Sequence, residues 1–279
     1  NDKKALQAPV HTIENIVCFG FKPVTPALMA YCAENNIGIS YLSSTGRFLA
    51  RVYGAQKGNV SLRKSQYTMS DDTEKSLTIS RNIIAAKVAN SRKILQRHIR
   101  NHPDAENISE VDKTAGVLGN YLSIIKSTRD ADTLRGHEGE CASLYFGCFD
   151  SMITSQKEDF IFTCRSRRPP LDNINALLSF VYVLISNDIR SALETTGLDP
   201  QVGFFHRLRS GRPSLALDLM EELRAYIADR VVLSLINLRQ IEKKDFEIKE
   251  TGEIRLTEKG RKEVIVAYQK KKDDIVEHP

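Results

Sequence analysis

The fold is decided by residues 71–100, DDTEKSLTISRNIIAAKVANSRKILQRHIR, where the hydrophobic period changes. From this stretch onward, apolar residues such as Leu77 and Ile84 recur at the spacing of one helical face. Before it, short apolar runs separated by Gly, Pro and Ser favour strands. We therefore predict an α+β fold. A small N-terminal β-rich domain covers residues 1–71 and joins a larger all-α C-terminal domain over residues 72–279.

Local signals set the expected boundaries of the individual elements. The strand candidates before residue 71 are 13–19, 37–42, 48–52 and 60–67, with a helix over 26–35 that Pro26 opens. The helices expected later cover about 72–100, 107–126, a segment starting at 136–139, 172–196, 215–240 and 257–272, with a hairpin of 246–248 and 254–256. Asp72, Ser214 and Thr257 are the expected N-caps, and Gly197 is the expected left-handed C-cap.

Composition limits the kind of protein. A net charge of +5, 41% hydrophobic residues and 27% charged residues are ordinary for a globular chain. The longest apolar runs are too short to cross a bilayer and no signal peptide is evident, so we expect no membrane association. Five cysteines without a C-x-x-C pair favour reduced core thiols and a cytoplasmic location. Because the chain starts at Asn1 and stops just after a charged helix, we expect a truncated or partly observed polypeptide.

The stretch HRLRSGRPSLALDLMEE, residues 206–222, contains the first candidate site. Asp218 and Glu221 are three residues apart and share one helical face. A neutral His206 beside these carboxylates would make a nitrogen–oxygen site for a divalent cation. Asp218 is either a further ligand or the acid that orients His206. A core histidine hydrogen-bonded to a nearby acid is the competing interpretation, and the residues alone leave both open.

A second candidate is Glu138, which lies between Gly136 and Gly139 at an expected helix start. Glycine lets a backbone approach a ligand closely, and the helix dipole favours an acid at this end. Neighbouring helical residues point about 100° apart, so His137 and Glu138 do not face the same cation, and we prefer Glu138. A plain capping turn is the alternative interpretation.

Arginine clusters suggest a partner that carries phosphate. The segment RSRRPP, residues 165–170, places arginines on a proline-stiffened backbone, which suits a phosphate backbone. The candidate DNA-binding residues are Arg165, Arg167, Arg168, Arg209, Arg212 and Lys64. The alternatives are a stiff linker whose arginines pair with acids, and ordinary solvated faces.

Taken in order, these motifs resemble the CRISPR adaptation integrase family, the metal-dependent subunit that inserts spacers. The resemblance rests on Gly-x-Glu-Gly before a Tyr-Phe helix, on Arg-x-Arg-Arg-Pro-Pro-x-Asp-x-x-Asn-Ala, and on Gly-Phe-x-His before Leu-Asp-Leu-Met-Glu-Glu. The segments that begin at Gly46 and Leu62 resemble the type I-C branch. The family normally has strands ahead of the position of Asn1, so the β-rich domain is expected to lack its leading strands and the helical domain its end.

The resemblance also implies an activity and a set of partners. Glu138, His206 and Glu221 would be the catalytic residues and the ligands of Mg²⁺ or Mn²⁺, with Asp218 close by. The implied reaction joins a 3′-hydroxyl of spacer DNA to a phosphodiester of a repeat. Double-stranded DNA, a second copy of the chain as homodimer and a small ferredoxin-fold subunit are the implied partners. A broad-specificity metal nuclease and a non-catalytic DNA-bridging scaffold remain as alternatives.

Overall fold

A small sheet precedes a larger set of helices in the structure, which is a computed structural model that describes residues 7–43, 46, 48–54 and 59–274. This arrangement confirms the α+β class and the order of its two parts. The boundary after residue 71 stays a prediction.

The N-terminal sheet contains three described strands, and a helix connects the first two. These elements are β1 (Asn15–Phe19), α1 (Pro26–Glu34), β2 (Gly38–Leu42) and β3 (Phe48–Val52). The first two strands are parallel, the last two are antiparallel, and β2 lies in the centre. A parallel pair needs a crossover connection, which α1 supplies. Thr25 caps α1 by accepting a hydrogen bond from Leu28 N at 3.3 Å. Residues 44, 45 and 47 of the predicted hairpin lie outside the described residues.

Residues 60–67 form a helix, so their prediction as a strand candidate is wrong. The helix α2 (Val60–Asp71) begins after Asn59, whose side chain accepts from Leu62 N at 3.1 Å. Its sequence is rich in helix-forming Leu, Arg, Lys and Gln and lacks the regular alternation of a half-buried strand. Gln66 is its buried residue.

The remaining helices share one hydrophobic core. They are α3 (Thr73–Asn101), α4 (Ile108–Ser127), α5 (Ala131–Gly147), α6 (Asn173–Thr196), α7 (Ser214–Leu223), α8 (Arg230–Asn237) and α9 (Glu258–Lys272). As predicted, Asp72 is the N-cap of α3, and its carboxylate accepts hydrogen bonds from Glu74 N and Lys75 N, both at 3.1 Å. The apolar stripe of α3 is buried where the helix packs on α4, α5 and α7. Burial of one large apolar side chain contributes about 1.5–3 kcal/mol, so this stripe fixes α3 at the centre.

The predicted start of one helix is wrong. α5 begins at Ala131, where the Asp130 carboxylate accepts from Thr133 N at 2.8 Å. Gly136 and Gly139 therefore lie inside the helix and not at its start. Helix-interior glycines weaken a sequence-based prediction because each costs about 1 kcal/mol relative to alanine.

The predicted helix over 215–240 is also divided. A π-helical turn, Arg224–Asp229, separates α7 from α8. Ser214 is the first residue of α7 and not its N-cap, and its hydroxyl donates to Arg207 O at 3.3 Å. The wide turn matters because it carries two of the charged groups described below.

The signals at the ends of α6 and α9 are confirmed. Gly197 ends α6 with a left-handed φ of 85°, and Thr257 caps α9 by accepting from Gly260 N at 3.1 Å. The hairpin of β4 (Phe246–Ile248) and β5 (Ile254–Leu256) is antiparallel, as predicted.

Two expectations drawn from composition need correction. α6 is long and apolar enough to cross a membrane, but 61% of its most apolar window is buried inside the protein, which marks it as a core helix. Cys32, Cys141 and Cys148 are buried free thiols, as expected, whereas Cys164 is free but exposed. Its neighbours in the sequence are the polar and basic residues of the segment before Pro169, which explains the exposure.

Asp229 makes the fold sensitive to pH. It is buried, and its carboxylate accepts from the Tyr182 hydroxyl at 2.8 Å. Burial raises its pKa from 3.8 to about 6. Since the folded state holds the proton more tightly than the unfolded state does, the contribution of Asp229 to stability falls as the pH rises from about 4 to 6.

We therefore expect Asp229→Asn to remove a pH-dependent loss of about 3 kcal/mol in the free energy of unfolding. Urea titrations of wild type and variant at pH 4 and pH 7 measure this difference. An equal pH dependence in the two proteins would contradict the assignment.

Candidate metal and DNA site

A single buried carboxylate holds the loop that contains His206. Asp218 lies on α7 and is fully buried. It accepts backbone hydrogen bonds from Phe204 at 2.6 Å, Phe205 at 3.0 Å and His206 at 2.9 Å. Its Oδ1 also lies 2.6 Å from His206 Nδ1, which donates to it. Asp218 thus orients the imidazole and leaves Nε2 as the atom that can bind a ligand.

The second acid of α7 faces the free nitrogen of the same imidazole. Glu221 is 3% exposed, and its Oε1 lies 3.9 Å from His206 Nε2. Asp218 and Glu221 do share a helical face, as the spacing predicts. Asp218 binds one ring nitrogen of the histidine, while Glu221 faces the other.

Lys87 of α3 joins the two predicted acidic ligands. Its Nζ forms an ion pair with Glu138 and lies 2.7 Å from Glu221 Oε2. The side chain of Lys87 is 10% exposed, so this charge is held largely away from water. Burial acts to raise the pKa of Glu221, but Lys87 and Arg224 outweigh it and hold that pKa below its ordinary value. Two carboxylates from separate helices therefore converge on one positive charge.

The described residues contain no group of three or more His, Cys, Asp or Glu side chains already arranged around a metal position. The three predicted ligands nevertheless lie near one another, since Glu138 and His206 line one cavity. Glu138 and Glu221 already share a cationic partner, and His206 Nε2 faces Glu221. Glu221 Oε2 is buried and accepts no hydrogen bond of ordinary geometry, although the Lys87 ammonium is close. Oxygen and imidazole ligands of this kind suit Mg²⁺ or Mn²⁺.

The π-helical turn adds a second cation to the site. Arg224 Nη2 lies 3.1 Å from Glu221 Oε1, and its guanidinium stacks on the Tyr182 ring at 5.1 Å from the centroid. Tyr182 in turn donates to Asp229. Asn90 of α3 donates to Glu222 O at 2.8 Å, at the end of α7 just before this turn.

Sequence reasoning missed Lys87, Asn90 and Arg224. One signal could have revealed the first two: the apolar run IIAAKVAN, residues 83–90, places a lysine and an asparagine on the buried side of α3. A buried lysine requires acidic partners. Arg224 had a signal as well, because it lies three residues after Glu221 and therefore shares a helical face with it.

Four of the six predicted DNA-binding residues surround one cavity beside His206. This cavity has a volume of about 900 Å³, and Arg167, Arg168, Arg209 and Arg212 line it. Arg190 and Arg224 line it too. Lys64 is exposed on α2, away from these arginines along the chain. The cavity therefore offers a concentration of positive charge next to the candidate cation ligands.

Arg165 differs from its neighbours in the same segment. It is half-buried, donates to Asn175 and to Ser166 O at 2.7 Å, and lies over the Tyr182 ring at 5.2 Å from the centroid. Burial lowers its pKa. Arg167 and Arg168 are exposed. The arginine cluster thus contains one inward side chain and two that face solvent.

The chain is similar to known proteins along most of its length. A family model described as "CRISPR associated protein Cas1" matches residues 1–270. A protein of Rhodospirillum rubrum named "CRISPR-associated endonuclease Cas1 2" is 48% identical over 98% of this chain and 80% of its own length. A solved Cas1 protein from Thermotoga maritima has a TM-score of 0.81 and 25% identity, covering 95% of this chain and 81% of that one. A casposase bound to an integration product has a TM-score of 0.81 and 26% identity, covering 95% and 72%.

Close packing of Gly203 against Asp218 gives a test of the site geometry. A Cβ at residue 203 would lie 2.6 Å from Asp218 Oδ2 and 2.7 Å from the carbonyl carbon of Ser214. We expect Gly203→Ala to lower the free energy of unfolding by about 1–3 kcal/mol, because neither neighbour can move freely.

The matched control is Gly139→Ala, where an added Cβ meets nothing within 4 Å. That change should stabilise the protein by about 0.5–1 kcal/mol, because Gly139 is inside a helix. Chemical denaturation measures both variants. Equal effects of the two substitutions would show that residue 203 is not closely packed.

Proposed function

The chain belongs to the CRISPR-associated Cas1 family of endonucleases and integrases, and we propose that it inserts spacer DNA by transesterification. In this reaction a 3′-hydroxyl of the incoming DNA attacks a phosphodiester of a repeat. One observation carries the proposal: Glu138 and Glu221 meet at one positive charge, with His206 beside Glu221 and an arginine-lined cavity adjoining His206.

Glu138, Glu221 and His206 would hold the cation, Mg²⁺ or Mn²⁺. Such an ion, when bound, lowers the pKa of an attacking hydroxyl and stabilises charge on the reacting phosphate. The chain's own contribution is to fix the ligands. Asp218 keeps the proton of His206 on Nδ1, so that Nε2 can act as a neutral ligand.

Lys87 and Arg224 would balance the negative charges of Glu138 and Glu221. Without a metal ion, Lys87 lies against both carboxylates, and together with Arg224 it offsets their two negative charges, which would otherwise repel each other. With a cation on the carboxylates, Lys87 would be available to donate to a phosphate oxygen. Arg224 stays on Glu221 and limits the movement of that side chain.

The arginine-lined cavity would bind the DNA backbone. Arg167, Arg168, Arg209 and Arg212 can neutralise phosphates on the path to His206. Support for double-stranded DNA as substrate comes from the casposase, which is bound to an integration product. The homodimer, the small ferredoxin-fold subunit, the type I-C branch and the cytoplasmic location remain proposals that rest on the family resemblance and the free cysteines.

A non-catalytic scaffold is the second candidate, and one observation favours it. Lys87 already pairs with both acids, which is also what a purely structural ion cluster would do. A metal nuclease would use the same site for hydrolysis. A branched DNA product would separate integration from hydrolysis, and calorimetry with Mn²⁺ would separate both enzymes from the scaffold.

We expect Glu138→Gln, Glu221→Gln and His206→Ala each to lower the rate of strand transfer at least on the order of 100-fold. Each substitution removes a proposed ligand of the cation that would stabilise the charge of the transition state. The assay combines labelled DNA bearing a free 3′-hydroxyl, a plasmid with a repeat and Mn²⁺. DNA affinity should change little. The controls are Glu140→Gln and Glu222→Gln, each next to or near a proposed ligand on the same helix. Full activity of any of the three site variants would refute its role.

The arginines can be tested through the salt dependence of DNA binding. Replacing Arg167 and Arg168 together by Gln should reduce the slope of log K against log salt by about 2, since each phosphate contact contributes about 0.9. Arg165→Gln should leave the slope unchanged and lower the unfolding free energy, because its guanidinium is held inside. An unchanged slope in the double variant would mean that Arg167 and Arg168 do not contact phosphate.

A further inference from the structure

The only buried side chain of α2 points at the segment that leads to His206. Gln66 is 4% exposed and is the one buried residue of α2. Its Nε2 donates to Asp199 O and to Val202 O, both at 2.8 Å. Its Oε1 accepts from Asp199 N at 2.9 Å. The whole amide group is therefore used to hold backbone atoms of residues 199–202.

Two serines continue the same contact along the chain. Ser70 near the end of α2 donates to Gly203 O at 2.9 Å, and Ser76 in the first turns of α3 donates to Phe204 O at 3.1 Å. Gln66, Ser70 and Ser76 thus bind the carbonyl groups of residues 199, 202, 203 and 204. Buried carbonyl groups need such partners, because an unpaired one costs about 1–3 kcal/mol.

The opposite side of the segment is bound by α7. Asp218 accepts the backbone N–H groups of residues 204–206. The carbonyls are therefore held from α2 and α3, and the N–H groups from α7. Between these two sets of hydrogen bonds the backbone has little freedom to move, and His206 follows directly.

We propose that Gln66 is a positioning residue that sets the distance between His206 and Glu221. The inference rests on the proposed function of that pair. His206 Nε2 lies 3.9 Å from Glu221 Oε1, and a misplacement of about 1 Å can cost on the order of 100-fold in rate.

The test uses Gln66→Leu, which removes all three hydrogen bonds and keeps a side chain of similar size. Hydrogen exchange of the peptide covering residues 199–206 should accelerate at least about tenfold. Exchange in the centre of α3 and α6 should stay within about twofold, a locality that a general loss of stability would not give. Strand transfer should lose kcat about tenfold or more, with KM for DNA little changed.

Tyr67→Phe is the matched control. The Tyr67 hydroxyl bonds the side chain of the same Asp199 at 3.0 Å, but its removal leaves every backbone hydrogen bond of the segment in place. We expect wild-type exchange and activity from it. If Gln66→Leu fails to fold, the double variant Ser70→Ala, Ser76→Ala removes the neighbouring hydrogen bonds to the carbonyls of residues 203 and 204. The same local acceleration of hydrogen exchange is expected.

The inference is overturned if exchange of residues 199–206 is unchanged in these variants, or if it accelerates equally throughout the helices. Should the wild-type protein show no strand transfer at all, the proposed function fails. The exchange measurement then decides the role of Gln66 by itself.

Discussion

The ion cluster of Lys87 with Glu138 and Glu221 is the constraint on which the site depends. Buried charges are tolerated only when they are paired, and removing one partner of a buried pair costs about 3–5 kcal/mol. Lys87 comes from α3, Glu138 from α5 and Glu221 from α7, so the cluster fixes how three helices meet. Together with Arg224 on Glu221, it also explains why two acids can lie close together. The positive charge that this geometry requires is what a catalytic metal would supply.

A second set of polar contacts makes the site asymmetric. Asp218 commits both of its oxygens to the histidine loop, while Glu221, one turn later, keeps an oxygen without an ordinary hydrogen bond. Two acids on one helical face therefore have different tasks, because one is saturated by backbone donors and the other is not. The arginine-lined cavity opens beside the histidine, so a phosphate held there would approach the unsaturated acid. His206 therefore connects the buried acids of α7 with the arginine-lined surface that would bind DNA.

Much of the fold could be predicted because its signals are local. The caps at Asp72 and Thr257 and the left-handed Gly197 depend on a few neighbouring residues, and all three are confirmed. The helix over 60–71 was missed because it is polar and has no buried apolar stripe, and the start of α5 because glycines suggested a boundary. The candidate ligands were found from motif order, whereas Lys87 was missed because its partners are 51 and 134 positions away in the chain. The same limit applies to Arg165, whose inward direction depends on Asn175 and Tyr182 and not on its own segment.

The central claim is that Glu138, Glu221 and His206 converge on one cation in place of the Lys87 ammonium. Crystals of the protein grown with Mn²⁺, and the anomalous difference density measured from them, test it most directly. The account predicts one strong peak within coordination distance of the two carboxylates and of His206 Nε2, with Lys87 Nζ displaced from it. A peak at another place, or density that leaves the lysine between the two acids while the protein is saturated with Mn²⁺, would contradict it.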